Sequence, residues 1–296
     1  MTRLSKALVR WLLIAAALLA AGLPAVATAA PATEPQRPLV MGILPFMSPI
    51  ALIKRFAPLR DYLSQQIGRP VILQTARDFP EFVRRTQRRH YDIVLTAPHM
   101  VLLALDSGHY RLQAAYADPL AAVILVPKGS SIRSMTQLNG KVVATPPPEA
   151  IITVIGRRML ADAGLTGERA PLYRNYLSHN AAYQAVVGGE ASAAVVTVNV
   201  VHNVVGPGKP LRVLARSGDY PGLGILTGID LPANLQRRIG DALVDMRNTQ
   251  AGRDTLKRIR YSGYRRAKPS EFEPLRTYLG TCGLPSGDGE APDCGS

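Results

Sequence analysis

Histidines are the first residues here that could hold a metal or move a proton. The chain has five, His90, His99, His109, His179 and His202, scattered without the short regular spacing that metal ligands need. No G-x-S-x-G elbow, HExxH run or phosphate loop of the G-x-x-x-x-G-K type occurs. Asp61 and Asp92 fall in stretches that read as ordinary helix and strand. The expectation is a protein with no catalytic residues, metal or cofactor, and no enzymatic activity.

A more promising stretch is "KVVATPPPEAIITVIGRRMLADAGL", Lys141 to Leu165. It reads as a buried strand, a three-proline corner and an amphipathic helix. Strand-to-helix corners hold anions because free backbone N–H groups and the helix dipole point at them. Here Pro147 and Pro148 offer neither N–H nor hydroxyl. Pro148 suits the first helical position, which leaves the N–H groups of Glu149, Ala150 and Ile151 for an acceptor. Glu149 places a carboxylate where an anion would sit. A helix start with an acidic first turn and a ligand cradle therefore stand as equal readings of this corner.

The only cysteines, Cys282 and Cys294, lie in the Gly- and Pro-rich tail "TCGLPSGDGEAPDCGS". No histidine stands near them, so a disulfide is expected over a metal pair; it would contribute on the order of 3 kcal/mol locally. At the other end, Arg3, Lys6 and Arg10 precede a continuous apolar run from Trp11 to Leu23, and Ala27-Thr28-Ala29 follows. That order is the pattern of a secretory signal peptide, residues 1–29, and the run is shorter than a membrane span requires. An exported, periplasmic protein is expected, in a compartment where a disulfide persists.

The full chain of 296 residues carries +14, of which Arg3, Lys6 and Arg10 supply three. A basic surface suits an anionic ligand or a membrane-facing partner. An exported protein rarely meets nucleic acid, and the cluster "RRTQRRH" (84–90) has no interleaved aromatics on which bases could stack. No nucleic-acid partner is expected, and the cluster reads as a solvated helix face.

These residues need a scaffold, and apolar patterning supplies one. "LVMGIL" (39–44), "VILQT" (71–75), "YDIVLT" (91–96), "AAVILVP" (121–127), "VVAT" (142–145) and "SAAVVTV" (192–198) read as strands. Between them, 48–68, the stretch after Asp78, "HMVLLALDSG", "EAIITVIGRRMLADAG" and "NAAYQAVVGGE" read as helices. The order calls for α/β lobes with parallel or mixed sheets. Two similar extended segments, "LQAAYADPLAAVIL" and "LRVLARSGDYPGLGIL", suggest two strands crossing between the lobes as a hinge. The expected organisation is a first lobe from 38–118, an inserted second lobe from 119–213, a return with C-terminal helices over 214–280, and a tail over 281–296.

Several blocks carry a family resemblance. "GILPFMSPIALIKRFAPLRDYLSQQIGRPVIL", "YDIVLTAPHM", "VILVPKGSSIRSMTQLNGKVVAT" and "LSHNAAYQAVVGGEASAAVV" occur in order across about 38–280. They resemble the periplasmic phosphate/phosphite/phosphonate-binding proteins, the type II solute-binding components of ABC importers. The resemblance implies a type II periplasmic-binding fold with an interlobe ligand cleft. It also implies capture of a small, oxyanionic solute for an ABC permease, and a protein acting as a monomer. A ligand-loaded form that docks on a membrane sensor kinase is the alternative output; an exported enzyme is a weaker one.

By resemblance, ligand contacts fall at Thr145, Glu149 and Ala150 in the corner, and at His179, which matches the family's ligand-contacting histidine. In "TAPHM", Thr96 and Pro98 fit a cleft-edge turn, and His99 and Met100 replace the family's usual aromatic neighbourhood. Phe46, Met47 and Ser48 follow the first strand, and Thr197 and Asn199 end the 192–198 strand. Ser192 replaces the family's aspartate, which puts the partner of an aminoalkyl phosphonate's ammonium in doubt. The corner also departs from the family's Ser/Thr-rich helix start.

Overall fold

In the computed structural model, residues 37–279 are described. The expected signal peptide, Cys282 and Cys294 lie outside them.

The first sheet is built from β1 (Leu39–Ile43), β2 (Val71–Gln74), β3 (Ile93–Thr96), β4 (Tyr110–Tyr116), β10 (Gly224–Gly228) and β11 (Tyr264–Arg265). Its order is β11-β4-β10-β3-β1-β2. β1 runs parallel to β2 and β3, while β10 lies antiparallel between β3 and β4. The second sheet holds β5 (Ala122–Pro127), β6 (Val142–Thr145), β7 (Leu172–Asn175), β8 (Ala193–Thr197) and β9 (Leu211–Arg216), ordered β7-β6-β8-β5-β9. Here β6 is parallel to β7 and β8, and β5 is antiparallel to β8 and β9.

The two sheets therefore share one plan. Each has a parallel triplet, then an antiparallel strand that arrives from the other sheet. That visiting strand shifts register in both cases, at Ile225/Leu226 in β10 and at Ile124/Leu125 in β5. A bulge adds local twist, which lets a strand turn out of one sheet toward the next. The crossings β4→β5 and β9→β10 are tied by reciprocal backbone bonds between Leu120 and Tyr220, at 2.9 and 2.8 Å.

Helices cover both sheets, and short signals set their ends. α1 (Pro49–Ile67) starts on a proline and stops at Gly68, which takes the left-handed conformation (φ 62°) and returns its N–H to Ser64. α2 (Phe79–Gln87) is capped by Asp78, whose carboxylate accepts from the N–H of Glu81 at 2.7 Å. Glu81 in turn holds Arg84 and Arg85 on the outer face of that helix. α3 (Pro98–Asp106) follows β3, and α4 (Ile151–Asp162) follows β6. The second lobe continues with α5 (His179–Val187) and the short α6 (Val201–Val204); α7 (Ala233–Val244) and α8 (Gln250–Ile259) return to the first lobe.

One core packs α1, α7 and α8 against the first sheet through Phe56, Leu59, Ile239 and Leu256. A second apolar cluster runs through both lobes and includes Met100, Val101, Ile124, Ile151, Ile155 and Phe272. Burial of this kind stabilises each side chain by roughly 1.5–3 kcal/mol. It also brings the starts of α3 and α4 into one apolar region.

One local expectation is corrected. The helix after the proline corner begins at Ile151, with Ala150 as its N-cap, and Pro148 stays outside it. The N–H of Ala150 closes a turn onto the Pro147 carbonyl at 3.0 Å, so the chain turns once more before it becomes helical.

Candidate functional site

In both sheets the parallel strands end on one edge, and their carboxyl ends lead into the helix starts that carry the candidate residues. In the first lobe β1 leads through Leu44 and Pro45 to Phe46, Met47 and Ser48, then α1. Phe46 is half-buried and meets the Phe56 ring edge-on at 6.1 Å. Met47 Sδ lies 4.0 Å from Arg55 Nη1. Ser48 is the exposed N-cap of α1 and makes no side-chain capping bond.

Thr96 ends β3, and its Oγ1 is buried without a partner. Its side chain lines a cavity of about 10 Å³ with Phe82, Thr86 and Met100, inside the first lobe. Pro98 opens α3, and His99 follows with no exposed surface. The His99 ring faces the backbone of Glu149 from the other lobe, yet neither ring nitrogen completes a hydrogen bond. Burial pushes its pKa down to about 3, partly offset by the Glu149 backbone, so the ring is neutral near pH 7.

Across from it, Thr145 ends β6 fully buried, and its hydroxyl donates to Asn175 Oδ1 at 2.7 Å. Thr153 Oγ1 donates back to the Pro146 carbonyl at 3.1 Å and pins the corner to α4. With Ala150 N–H used in the turn, the N–H groups of Glu149, Ile151 and Ile152 lack a backbone acceptor among the described residues. Ala150 brings no capping side chain, and Glu149 is half-buried.

His179 opens α5 beside its cap Ser178, which accepts from Ala181 N–H at 3.2 Å. Thr197 N–H donates to His179 Nδ1 at 3.4 Å, which assigns the ring proton to Nε2. Burial lowers this imidazole to about 4, so it too is neutral and offers one N–H donor. Thr197 Oγ1 is buried and unpartnered. Asn199 sits exposed in the following 3-10 turn, Val198–Val200.

The structure thus joins His99 with Glu149, His179 with Thr197, and Met47 with Arg55. It draws neither Thr96 nor Asn199 to another of the candidate residues through any described hydrogen bond or ion pair. Two arginines come into the neighbourhood that the sequence reading passed over. Arg157, on α4, lies over the Tyr173 ring at 4.5 Å and reaches Asn175 Oδ1 at 3.4 Å. Arg55 is held by the Ile259 carbonyl at 2.9 Å and by the Tyr261 ring at 5.0 Å. Their placement two turns along helices that start at strand ends was the available signal. Both histidines are neutral, and these two guanidiniums bring positive charge beside the candidate loops.

Among the described residues no group of three His, Cys, Asp or Glu could hold a metal, and no helix is long and apolar enough to cross a membrane.

Residues 41–272 match the family described as "ABC transporter, phosphonate, periplasmic substrate-binding protein". Solved structures share the fold at low identity. PhnD1 from Prochlorococcus marinus (MIT 9301), in complex with methylphosphonate, is 15% identical with a TM-score of 0.72; the match covers 81% of this chain and 96% of that one. A binding-protein component of an ABC phosphonate transporter (PA3383) from Pseudomonas aeruginosa is 18% identical, with a TM-score of 0.68 and coverage of 81% and 85%. XAC2383 from Xanthomonas citri, bound to ATP, is 15% identical, with a TM-score of 0.69 and coverage of 82% and 96%. Its neighbours make the fold the two-lobed type II periplasmic-binding fold.

Proposed function

The chain belongs to the periplasmic phosphonate-binding family of ABC-transporter substrate-binding proteins, and from that premise we propose that its interlobe space captures a small anionic solute of phosphonate-like chemistry and hands it to a membrane permease. The observation that carries this reading is the set of buried, unpartnered polar atoms at strand ends and helix starts. His99 on one lobe and Thr197 Oγ1 on the other lack hydrogen bonds. Buried polar groups are normally paired, and orphaned ones call for a missing partner. A solute oxygen supplies one.

The corner before α4 offers the N–H groups of Glu149, Ile151 and Ile152, and His179 Nε2–H adds a neutral donor. An oxyanion held there meets hydrogen-bond donors and a helix dipole, with Arg157 or Arg55 as counter-charge. Glu149 opposes a dianion at the same place, which favours a singly charged solute, such as an alkyl phosphonate near neutrality or phosphite in its monoanionic form. Binding of the solute to both lobes would shift the population toward the closed state that a permease recognises.

Thermal-shift titration of the exported form with methylphosphonate, phosphite, phosphate, sulfate and ATP tests this. Methylphosphonate or phosphite is expected to raise the midpoint in proportion to the logarithm of its concentration. No stabilisation by any oxyanion in the panel removes the reading.

A further inference from the structure

The hydroxyl of Thr145 is spent inside the protein. Thr145 has no exposed surface, and its Oγ1 donates to Asn175 Oδ1 at 2.7 Å. The two residues pair at the last register position of β6 and β7. Just beyond them, Tyr176 N–H donates to the Thr145 carbonyl at 2.7 Å. What reaches the surface at this strand end is the Asn175 side chain, which is exposed.

That side chain is held in one orientation. Arg157 Nη2 donates to the same Oδ1 at 3.4 Å, and its guanidinium is steadied over the Tyr173 ring at 4.5 Å. A guanidinium carries only donors, so the amide atom turned toward it is the oxygen. The NH2 group then points away from both Thr145 and Arg157. Among the described residues no acceptor takes its two N–H bonds. Linked hydrogen bonds polarise one another, so the charge of Arg157 on the oxygen side strengthens the donors on the other. The neighbouring corner is short of such donors. Pro147 and Pro148 supply neither N–H nor hydroxyl, and Ala150 N–H is used in its own turn.

We propose that Asn175 is an oxyanion-recognising residue of the second lobe: its amide N–H groups take a solute oxygen where the corner has no hydroxyl to offer, and Arg157 lends its charge through the Asn175 oxygen. The assignment rests on the interlobe capture reading above and narrows it. Both lone pairs of the Asn175 oxygen are taken, by Thr145 and by Arg157, so this amide offers nothing to an ammonium group. It suits the anionic head of an alkyl phosphonate or of phosphite. Because its oxygen is already fixed, little side-chain ordering remains to oppose binding.

Asn175→Asp keeps the shape and both acceptor contacts, to Thr145 and to Arg157, and removes the donors. Isothermal titration of the exported chain with methylphosphonate is expected to show an affinity about 10- to 100-fold below wild type. Most of that loss should persist in 1 M salt, where the Debye length is about 3 Å and a merely nearby charge is screened. Equal affinity of the two proteins overturns the assignment and leaves the capture reading standing, and so does a loss that salt abolishes. A wild type that binds neither methylphosphonate, phosphite nor phosphate removes the capture reading, and the assignment with it. Urea unfolding without solute separates binding from folding: the variant should unfold at or above the wild-type midpoint, because a carboxylate pairs with Arg157 more strongly than an amide does. Should Asn175→Asp fold poorly, the Asn175 side-chain amide signals of isotope-labelled wild type decide. A downfield move of these protons on saturation with methylphosphonate supports the contact, and unmoved signals sink it.

Discussion

The hydroxyls of Tyr220 and Tyr278 stand 2.9 Å apart, with their rings edge-on at 6.1 Å. Tyr220 belongs to the second crossing between the lobes, where it pairs with Leu120 of the first crossing. Tyr278 closes the C-terminal segment that packs on both α3 and α4, and Arg276 in that segment grips Asp106 at the end of α3. The pair therefore joins a strap from the first lobe to the hinge. Burial and the neighbouring Tyr220 push Tyr278 up to about 12, so its hydroxyl stays neutral through the physiological range.

Tyr278→Phe is expected to lower unfolding free energy by about 1 kcal/mol, the usual net worth of one such bond. In that background Tyr220→Phe should add little. Urea unfolding of the four-member cycle measures this, and fully additive losses would mean the hydroxyls do not share a bond.

Gly156 sets how closely α4 approaches the second sheet. A Cβ there would lie 2.3 Å from Val195 Cγ1 on β8. Helix propensity alone would make Gly156→Ala favourable by about 1 kcal/mol, but overpacking of a filled core opposes it by roughly 1–3 kcal/mol. The expected net effect is a loss of stability, reversed to a gain when Val195→Ala makes room. Denaturant midpoints for the two backgrounds check the change of sign.

Asp92 holds the start of the first sheet. Its carboxylate accepts from Val40 N–H at 2.8 Å and takes Arg37 bidentately at 2.7 and 2.9 Å. Burial works to raise its pKa, but the Arg37 hydrogen bonds, the Val40 N–H and the charge of Arg37 outweigh it, and the net shift is downward. A depressed carboxylate contributes stability above its unfolded pKa and loses it as pH falls through the folded value. Asp92→Asn should cost about 1–3 kcal/mol at pH 7, with the gap from wild type shrinking below about pH 4. Unfolding curves at pH 7 and pH 3 read both parts, and equal stability at pH 7 would contradict them.

Glu149 competes with an anion for the corner before α4. If the interlobe reading holds, Glu149→Ser removes a like charge and adds a donor. Methylphosphonate affinity should rise about tenfold at low salt, and by less at high salt as screening grows. Isothermal titration measures it. Unchanged affinity would mean the carboxylate points away from the solute.

The proline corner shows how far local reading carries. Three prolines and a following apolar helix were plain in the sequence, but the helix starts at Ile151 because Ala150 N–H turns onto Pro147 first. Whether a residue adds a turn or begins a helix depends on where the preceding strand must end, and that end is set by pairing with β7 and β8. Arg157 is one polar position within a helical stretch. It gains a site neighbour only because β7 brings Asn175 to the same sheet edge.

What the sequence determined by itself was the alternation of strands and helices, the Asp78 cap, the Gly68 stop and the paired crossing segments. Each depends on neighbours a few residues away, through side-chain period, capping and backbone conformation. The family blocks added the two-lobed plan. Tertiary structure alone decided that His99 faces Glu149, that Arg55 stands beside Met47, and that Tyr220 meets Tyr278. Arg55 and Met47 lie within one short stretch, yet a loop folded back on its helix leaves no periodic trace. The other two pairs join distant parts of the chain, and their closeness follows from how two packed sheets orient their edges, which no local pattern encodes.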